Sequence, residues 1–265
     1  MHKYLFLAVS LILFASCSSD KSKTETTQSQ VANEQTPLQK TLEKFKTNNN
    51  FPIIADSVLF TSLNSLMNPV KGYDSLGTNE VKTLALNWFK NGEEGGSDYE
   101  MQEFYKIDSI KASGTWTKWC EKLDIGQTKY SNAYALFKTV LDSNTTIAFW
   151  AFTNSSYEAC PYFSGQTMQM SIIYKGELSQ TYYLGQSSGF GDPPVSTSIE
   201  AYGKLNADGT FIIDWHQVND EDMDQPDIFV TDNHFEFIIK EGKISQTKAD
   251  KKENVKTPRP KEKES

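Results

Sequence analysis

The chain has 265 residues, of which 38% are hydrophobic and 12% aromatic; this is enough apolar surface for a folded core and excludes wholesale disorder. It carries 26 basic and 34 acidic residues, for a net charge of -8, and Arg259 is its only arginine. Arginine is the side chain best suited to bidentate phosphate contacts, and an acidic chain repels a phosphate backbone. Charge and composition therefore exclude nucleic acid as an expected partner.

Residues 1–16 have the three parts of a secretory signal peptide. Lys3 supplies the positive charge, residues 5–14 form an apolar run interrupted by one serine, and two small residues follow. Ten apolar residues rise only about 15 Å as a helix, roughly half of the bilayer core, so this segment is too short to span a membrane. The segment therefore predicts export.

The end of this leader, Phe14-Ala15-Ser16-Cys17, resembles the lipobox of bacterial lipoproteins, although the family usually has leucine where Phe14 stands. The resemblance implies cleavage before Cys17, acyl chains such as palmitate on that cysteine, and anchoring in the cell envelope. Ser18 is not the acidic residue associated with inner-membrane retention, so the outer membrane is favoured over the inner one. The alternative is an ordinary secretory signal with a chance cysteine at the cleavage site.

Composition divides the mature chain into a tether, one domain and a tail. Residues 17–37 are rich in Ser, Thr, Gln, Lys and Glu and predict a flexible tether that spans roughly 25 Å. Residues 38–247 hold the apolar patterns and predict a single α+β globular domain. Residues 248–265 hold seven basic and four acidic residues and predict a disordered, solvated tail. The other interpretation is that this basic tail contacts its own acidic domain or an anionic partner.

Three amphipathic stretches predict helices in the first part of the domain. Thr36, Pro37 and Gln39 have the pattern of a capping box with proline at the first helical position, so a helix begins there. The apolar stripes of the three helices are Leu38, Leu42 and Phe45; Leu59, Leu63 and Leu66; and Val81, Leu84, Ala85 and Trp88. A shorter fourth stripe lies over residues 116–123.

From about residue 133 the apolar period changes to two, which predicts strands near 133–141, 145–153, 168–174, 178–184, 195–205, 210–217, 234–240 and 243–247. Tight turns such as Lys175-Gly176 and Glu241-Gly242 join them, so successive strands pair antiparallel. Residues 147–152 are apolar on both faces, which predicts a central strand covered on both sides. The expected fold class is α+β, with N-terminal helices packed on a C-terminal antiparallel β-meander of about eight strands.

Both histidines of the mature chain fall on the last strands and suggest a metal site. They lie directly opposite each other if the two strands pair in the register that sets Ile212 against Ile238. Two imidazoles with adjacent carboxylates suit zinc or a similar divalent cation. The alternative is a solvated polar sheet face, since the spacing matches no metal motif. The candidate metal ligands are His216, His234, Asp214 and Glu236.

An acidic loop between these strands gives a second candidate site. Asp220, Asp222 and Asp224 occupy positions 1, 3 and 5 of a calcium-binding loop. Gln225 replaces the required glycine and Thr231 the bidentate glutamate, which excludes an EF-hand. A looser calcium site and a solvated acidic loop remain as the two interpretations.

The remaining cysteines, Cys120 and Cys160, form an even pair in a chain predicted to be exported, and such a pair can form a disulfide. The alternative is two buried free thiols, because the sequence gives no distance between them. Neither cysteine lies in a basic, helix-starting context, so neither is a candidate nucleophile.

The stretch Gly185-Gln186-Ser187-Ser188-Gly189 matches the G-x-S-x-G pattern of hydrolases. That pattern requires a helix directly after the serine turn, and Gly191-Asp192-Pro193-Pro194 cannot form one. The stretch instead predicts a long glycine-rich loop.

The sequence favours a non-catalytic, lipid-anchored module of the bacterial cell envelope that binds a ligand or another envelope protein. The membrane, through the lipid, and that unidentified envelope ligand are the expected partners, and no cofactor is assigned. The alternative is a metal-assisted hydrolase that uses His216 and His234 with the adjacent carboxylates around a divalent cation. The five tryptophans do not decide between the two, because most lie on stripes typical of a core.

Overall fold

The computed structural model describes residues 35–63, 70–85, 128–157, 162–192, 194–222 and 224–260, which form ten β-strands and three short α-helices. The helices are α1 (Pro37–Leu42), α2 (Ser57–Leu63) and α3 (Thr78–Leu84). The strands are β1 (Ile53–Ala55), β2 (Asp74–Leu76), β3 (Thr128–Val140), β4 (Thr145–Tyr157), β5 (Tyr162–Tyr174), β6 (Glu177–Asp192), β7 (Val195–Leu205), β8 (Thr210–Asp220), β9 (Asp227–Lys240) and β10 (Lys243–Pro258).

One antiparallel sheet contains all of these strands, in the order β10-β9-β8-β7-β6-β5-β4-β3-β2. β1 lies off this path and pairs with the end of β7, where Ile53 faces Leu205 and Ala55 faces Gly203. The predicted meander is therefore present, and the α+β expectation is confirmed in part. The described chain is mostly antiparallel sheet with few and short helices, and its strands are longer and more numerous than predicted.

The first helix begins as its sequence predicts. The backbone N–H of Gln39 donates to Thr36 Oγ1 over 3.2 Å, and the Thr36 N–H donates to Gln39 Oε1 over 2.8 Å. The helix ends earlier than expected, at Leu42, and Phe45 is buried just beyond that end. No helix among the described residues is long and apolar enough to cross a membrane. The predicted helical positions Leu66, Trp88 and 116–123 lie outside the described residues.

β4 is buried on both faces, as its apolar run predicts. Ile147, Phe149 and Ala151 belong to the main core cluster, which strands β3–β9 share with β1 and α2. Ala148, Trp150 and Phe152 belong to a second cluster that includes residues of α1 and α3. A strand that is apolar on both faces is stable only where other elements cover both faces of the sheet, so β4 marks the centre of the fold.

The sheet is strongly curled over the main core. β6 and β9 are three strands apart, about 14 Å in a flat sheet, yet the ring centroids of Tyr182 and Phe237 lie 5.4 Å apart. The Ile244 N–H in β10 donates to Gln180 Oε1 in β6 over 2.9 Å. The curl encloses the apolar side chains of the later strands on one face and exposes their alternate, polar side chains on the other.

The predicted disordered tail is wrong for residues 248–258, which form most of β10 and pair with β9. The strand has almost no buried side chain, so apolar patterning could not indicate it. Backbone hydrogen bonds and ion pairs hold it instead: Lys256 Nζ lies 2.9 Å from Asp227 Oδ2, for example. Residues 248–259 contact their own acidic domain, in line with the second of the two interpretations above.

Gly203 is expected to be irreplaceable where β1, β6 and β7 meet. A methyl group there would lie 1.8 Å from the Leu184 carbonyl oxygen, a backbone atom that cannot move aside alone. We expect Gly203→Ala to lower the free energy of unfolding by about 3 kcal/mol or more, measured by urea denaturation. The control is Gly189→Ala, whose new methyl group would lie 3.6 Å from Thr197 O, an ordinary contact. Equal stability of the two variants would contradict this packing.

Candidate functional site

The polar face of β7–β10 carries an ordered array of charges. Alternate residues of a strand share a face, and directly paired residues of neighbouring strands lie side by side. Three rows therefore cross the four strands: Glu200, His216, Asp232 and Lys252; Tyr202, Asp214, His234 and Asp250; and Lys204, Ile212, Glu236 and Lys248. We call these twelve positions the charge lattice. Apart from pairs that include Tyr202 or Ile212, every pair of neighbours, along a row or along a strand, has one acidic residue and one lysine or histidine.

Two imidazole–carboxylate pairs join β8 to β9 at the centre of the lattice. Nδ1 of His216 donates to Asp232 Oδ1 over 2.7 Å, and Nδ1 of His234 donates to Asp214 Oδ1 over 2.6 Å. Nε2 of His234 lies 3.4 Å from Glu236 Oε1. Each histidine is thus oriented by a carboxylate on the neighbouring strand.

Contacts within the lattice shift the pKa values of His234, Lys248 and Asp250 in the direction that favours their charged forms. The hydrogen bond to Asp214 raises the pKa of His234, and the charges of Asp214 and Glu236 add to this against the opposing effect of partial burial. On β10, Lys248 lies 2.7 Å from Asp250. This contact raises the pKa of Lys248 and lowers the pKa of Asp250.

The first two rows of the lattice form the floor of an open groove of about 710 Å³. That volume falls within the range of about 300–1,000 Å³ typical of small-molecule sites. Tyr202 lines the groove at its β7 side, where its hydroxyl donates to Glu200 Oε2 over 3.0 Å and its ring stacks on Phe60 at 6.3 Å. The lining residues are Glu200, Tyr202, Asp214, Trp215, His216, Asp232, Asn233, His234, Ala249, Asp250, Lys251 and Lys252.

The register predicted for the metal site is wrong by two residues. Ile212 faces Glu236 rather than Ile238, so the two histidines face Asp232 and Asp214 instead of each other. A shift of two keeps every side chain on its face, and apolar alternation therefore cannot distinguish the two registers. Among the described residues, no group of three or more His, Cys, Asp or Glu side chains is arranged to hold a metal ion. His216, His234, Asp214 and Glu236 share a face, but they do not form the predicted ligand set.

The acidic loop is closed by the only arginine of the chain. The Arg259 guanidinium donates to both carboxylate oxygens of Asp220, to Oδ1 over 2.9 Å, and to the carbonyl oxygens of Asp222 and Gln225. This contact lowers the pKa of Asp220. Asp222 Oδ1 accepts the Asp224 N–H over 2.9 Å. Of the three candidate calcium ligands, Asp220 is therefore bound by Arg259 while Asp224 is exposed, and the calcium site stays a prediction.

The G-x-S-x-G stretch lies inside β6 and forms neither a nucleophile turn nor the predicted glycine-rich loop. Ser187 and its neighbours pair with β5 on one side and β7 on the other. The alternation of small and polar residues in this stretch is compatible with an extended strand, but its glycines favoured the prediction of a loop. Cys17, Cys120 and Cys160 lie outside the described residues, so the predictions of lipidation and of a disulfide stay predictions.

Several lattice residues were not predicted from the sequence, although their spacing along the chain gives a signal for them. Asp232 continues the alternation of β9 by two residues from His234. Lys248, Asp250 and Lys252 alternate in sign at two-residue spacing within the segment interpreted as a tail. A segment whose charged residues alternate in sign every two residues, next to a strand with the opposite alternation, indicates that the two segments pair in a sheet.

No protein-family model, characterised protein or solved structure matches the chain at a significant level. The fold and the groove are therefore the features from which a function can be argued. Both are defined by the chain's own residues.

We expect the pKa of His234 to lie above about 6.5 in the folded protein and to fall in Asp214→Asn, because the main hydrogen bond to the ring loses its charge. The raised pKa means that this pair stabilises the fold fully below the unfolded-state pKa, and the contribution is lost as the pH rises through the folded-state pKa. NMR titration of the His234 ring resonances against pH measures this pKa. Asp232→Asn, which faces His216, is the control and should leave His234 unchanged; an unaltered His234 in Asp214→Asn would refute the pairing.

Proposed function

We propose that this chain is a lipid-anchored protein of the bacterial cell envelope whose folded domain binds a ligand in the groove across β7–β10 without transforming it. The observation that carries the proposal is the groove itself: an open cavity of about 710 Å³ floored by hydrogen-bonding side chains from four adjacent strands. Side chains on a sheet are held by its backbone ladder, so such a surface is organised before a ligand arrives.

Binding is a better fit to this groove than catalysis. Its lining contains no serine, threonine or cysteine that could serve as a nucleophile, and the Tyr202 hydroxyl donates to Glu200. Covalent catalysis needs a nucleophile within hydrogen-bond reach of a base, and the groove lining offers neither imidazole a serine, threonine or cysteine. The metal-assisted alternative depended on the register that the β8–β9 pairing replaces.

The anchor rests on the leader and the tether. The resemblance of Phe14-Ala15-Ser16-Cys17 to a lipobox implies acyl chains on Cys17, and Ser18 favours the outer membrane. Each buried methylene contributes about 0.8 kcal/mol, so two or three chains hold firmly where one would not. Residues 17–37 then leave the groove free to meet a ligand or protein near the membrane surface.

Replacing Cys17 with serine is expected to move the protein from the membrane fraction to the soluble fraction, because the thioether that carries the lipid cannot form. Incorporation of a labelled fatty acid measures attachment of the lipid, and cell fractionation measures association with the membrane. Ser16→Ala, which retains a small residue before the cleavage site, is the control and should stay membrane-bound. A Cys17→Ser protein that remains on membranes, together with an unlabelled parent, would show that the anchor is not this cysteine.

The groove is tested with small molecules extracted from the cell envelope. We expect this extract to shift the ring resonances of His216 and His234 in the unlipidated protein. Glu200→Trp should abolish the shift at His234, because the indole would occupy the groove. Glu177→Trp, at an exposed position outside the lining, is the matched control. An extract that leaves both rings unshifted, or that shifts them equally in Glu200→Trp, would contradict binding in the groove.

A further inference from the structure

The net charge of the lattice depends on the protonation of its two imidazoles. It holds five carboxylates, three lysines and two imidazoles: Glu200, Asp214, Asp232, Glu236 and Asp250; Lys204, Lys248 and Lys252; and His216 and His234. With both imidazoles protonated the lattice is neutral, and with both neutral it carries two negative charges. The hydrogen bond to Asp214 raises the pKa of His234, and histidine is the side chain that changes charge near neutral pH, so the charge of the lattice depends on pH in this range.

The groove lining carries more acidic than basic side chains. Four carboxylates line it (Glu200, Asp214, Asp232 and Asp250) against two lysines on the end strand β10 (Lys251 and Lys252), while Lys204 and Lys248 lie outside the lining. Glu200, Asp214 and Asp232 lie on three successive strands as diagonal neighbours, about 7–8 Å apart between Cα atoms. A single cation between two such positions is therefore within reach of both carboxylates.

Each of these three carboxylates retains hydrogen-bonding capacity. One oxygen of Glu200 accepts from Tyr202, and one oxygen each of Asp214 and Asp232 accepts from an imidazole. A carboxylate has two oxygens, so the second oxygen of each can accept from a ligand. Tyr202 adds an aromatic ring to the same lining, and an aromatic ring beside carboxylates attracts an ammonium group.

We propose that the groove binds a small ligand bearing one or more ammonium groups, with the charged nitrogen among Glu200, Asp214 and Asp232 and its hydrocarbon against Tyr202. This inference rests on the proposed binding function and specifies its ligand class. An ammonium group has three donors and no acceptor, which matches the second oxygens of these three carboxylates. A chain with these groups along its length, such as a polyamine, can contact several lattice positions at once.

The binding should depend on pH through the groups that surround each imidazole. His216 faces Glu200 on β7 and Asp232 on β9, with Lys252 beyond Asp232 on β10. His234 faces Asp214 on β8 and Asp250 on β10, contacts Glu236 on its own strand, and has Lys248 beyond these two acids. Protonating both rings neutralises the excess that attracts the ligand. Affinity for the ligand therefore falls as the pH falls.

Spermidine is the probe, compared at constant ionic strength with inorganic phosphate and the neutral polyol sorbitol. We expect one-to-one calorimetric binding of spermidine that shifts both histidine rings and is about tenfold weaker at pH 5.5 than at pH 8. Glu200→Gln should weaken it by about tenfold, because one carboxylate loses its charge while both imidazole pairs remain. Glu177→Gln makes the same charge change outside the groove and should leave the affinity unchanged.

The competing outcomes separate this inference from the proposed function. If phosphate or sorbitol shifts the rings and spermidine does not, the groove binds ligands but the ammonium assignment is wrong. If spermidine binds equally to Glu200→Gln and the parent, or equally at both pH values, the attraction is a general effect of the acidic chain and the inference fails. If spermidine gives no response the inference also fails, and the envelope extract decides the binding function separately.

Discussion

The stacked rings of Phe211 and Phe237 set the register of β8 against β9, and the arrangement of the charged face follows from that register. The two rings are directly opposed, with centroids 4.7 Å apart and planes 12° apart, and the Tyr182 ring packs against both. A shift of two residues would leave every side chain on its face but would place His216 against His234. The aromatic contact on the buried face thereby determines that each imidazole meets a carboxylate on the exposed one.

The parts of the fold that the sequence predicts correctly are those fixed by local chemistry. The residues Asn206-Ala207-Asp208-Gly209 are typical of a type I turn with a glycine bulge, which predicts Leu205 opposite Phe211 and Ala201 opposite Trp215. The structure has both pairs, with Gly209 in the left-handed region. The double-sided burial of residues 147–152 follows from composition alone. Both predictions depend on interactions within a few residues of chain.

The errors arise where the deciding interaction is distant along the chain. β8 and β9 are joined by residues 221–226, and the closing contact of that loop comes from Arg259, which no local pattern could indicate. The strand predicted at 243–247 was not extended to residue 258, because hydrophobic periodicity detects strands that bury side chains and β10 buries almost none. The groove was predicted as a polar face with two histidines, but the carboxylate partners of those histidines depend on a register that the sequence leaves open.

Within the described residues β10 is the end strand of the sheet, and an end strand presents unpaired peptide groups on which another extended chain could add. Two register shifts, between Gln246 and Lys248 and between Lys252 and Val255, interrupt that row. Five lysines along its 16 residues would meet their own copies across an edge-to-edge contact. The irregular, basic rim of this sheet therefore protects copies of the chain against joining into a continuous intermolecular sheet, the first step of aggregation.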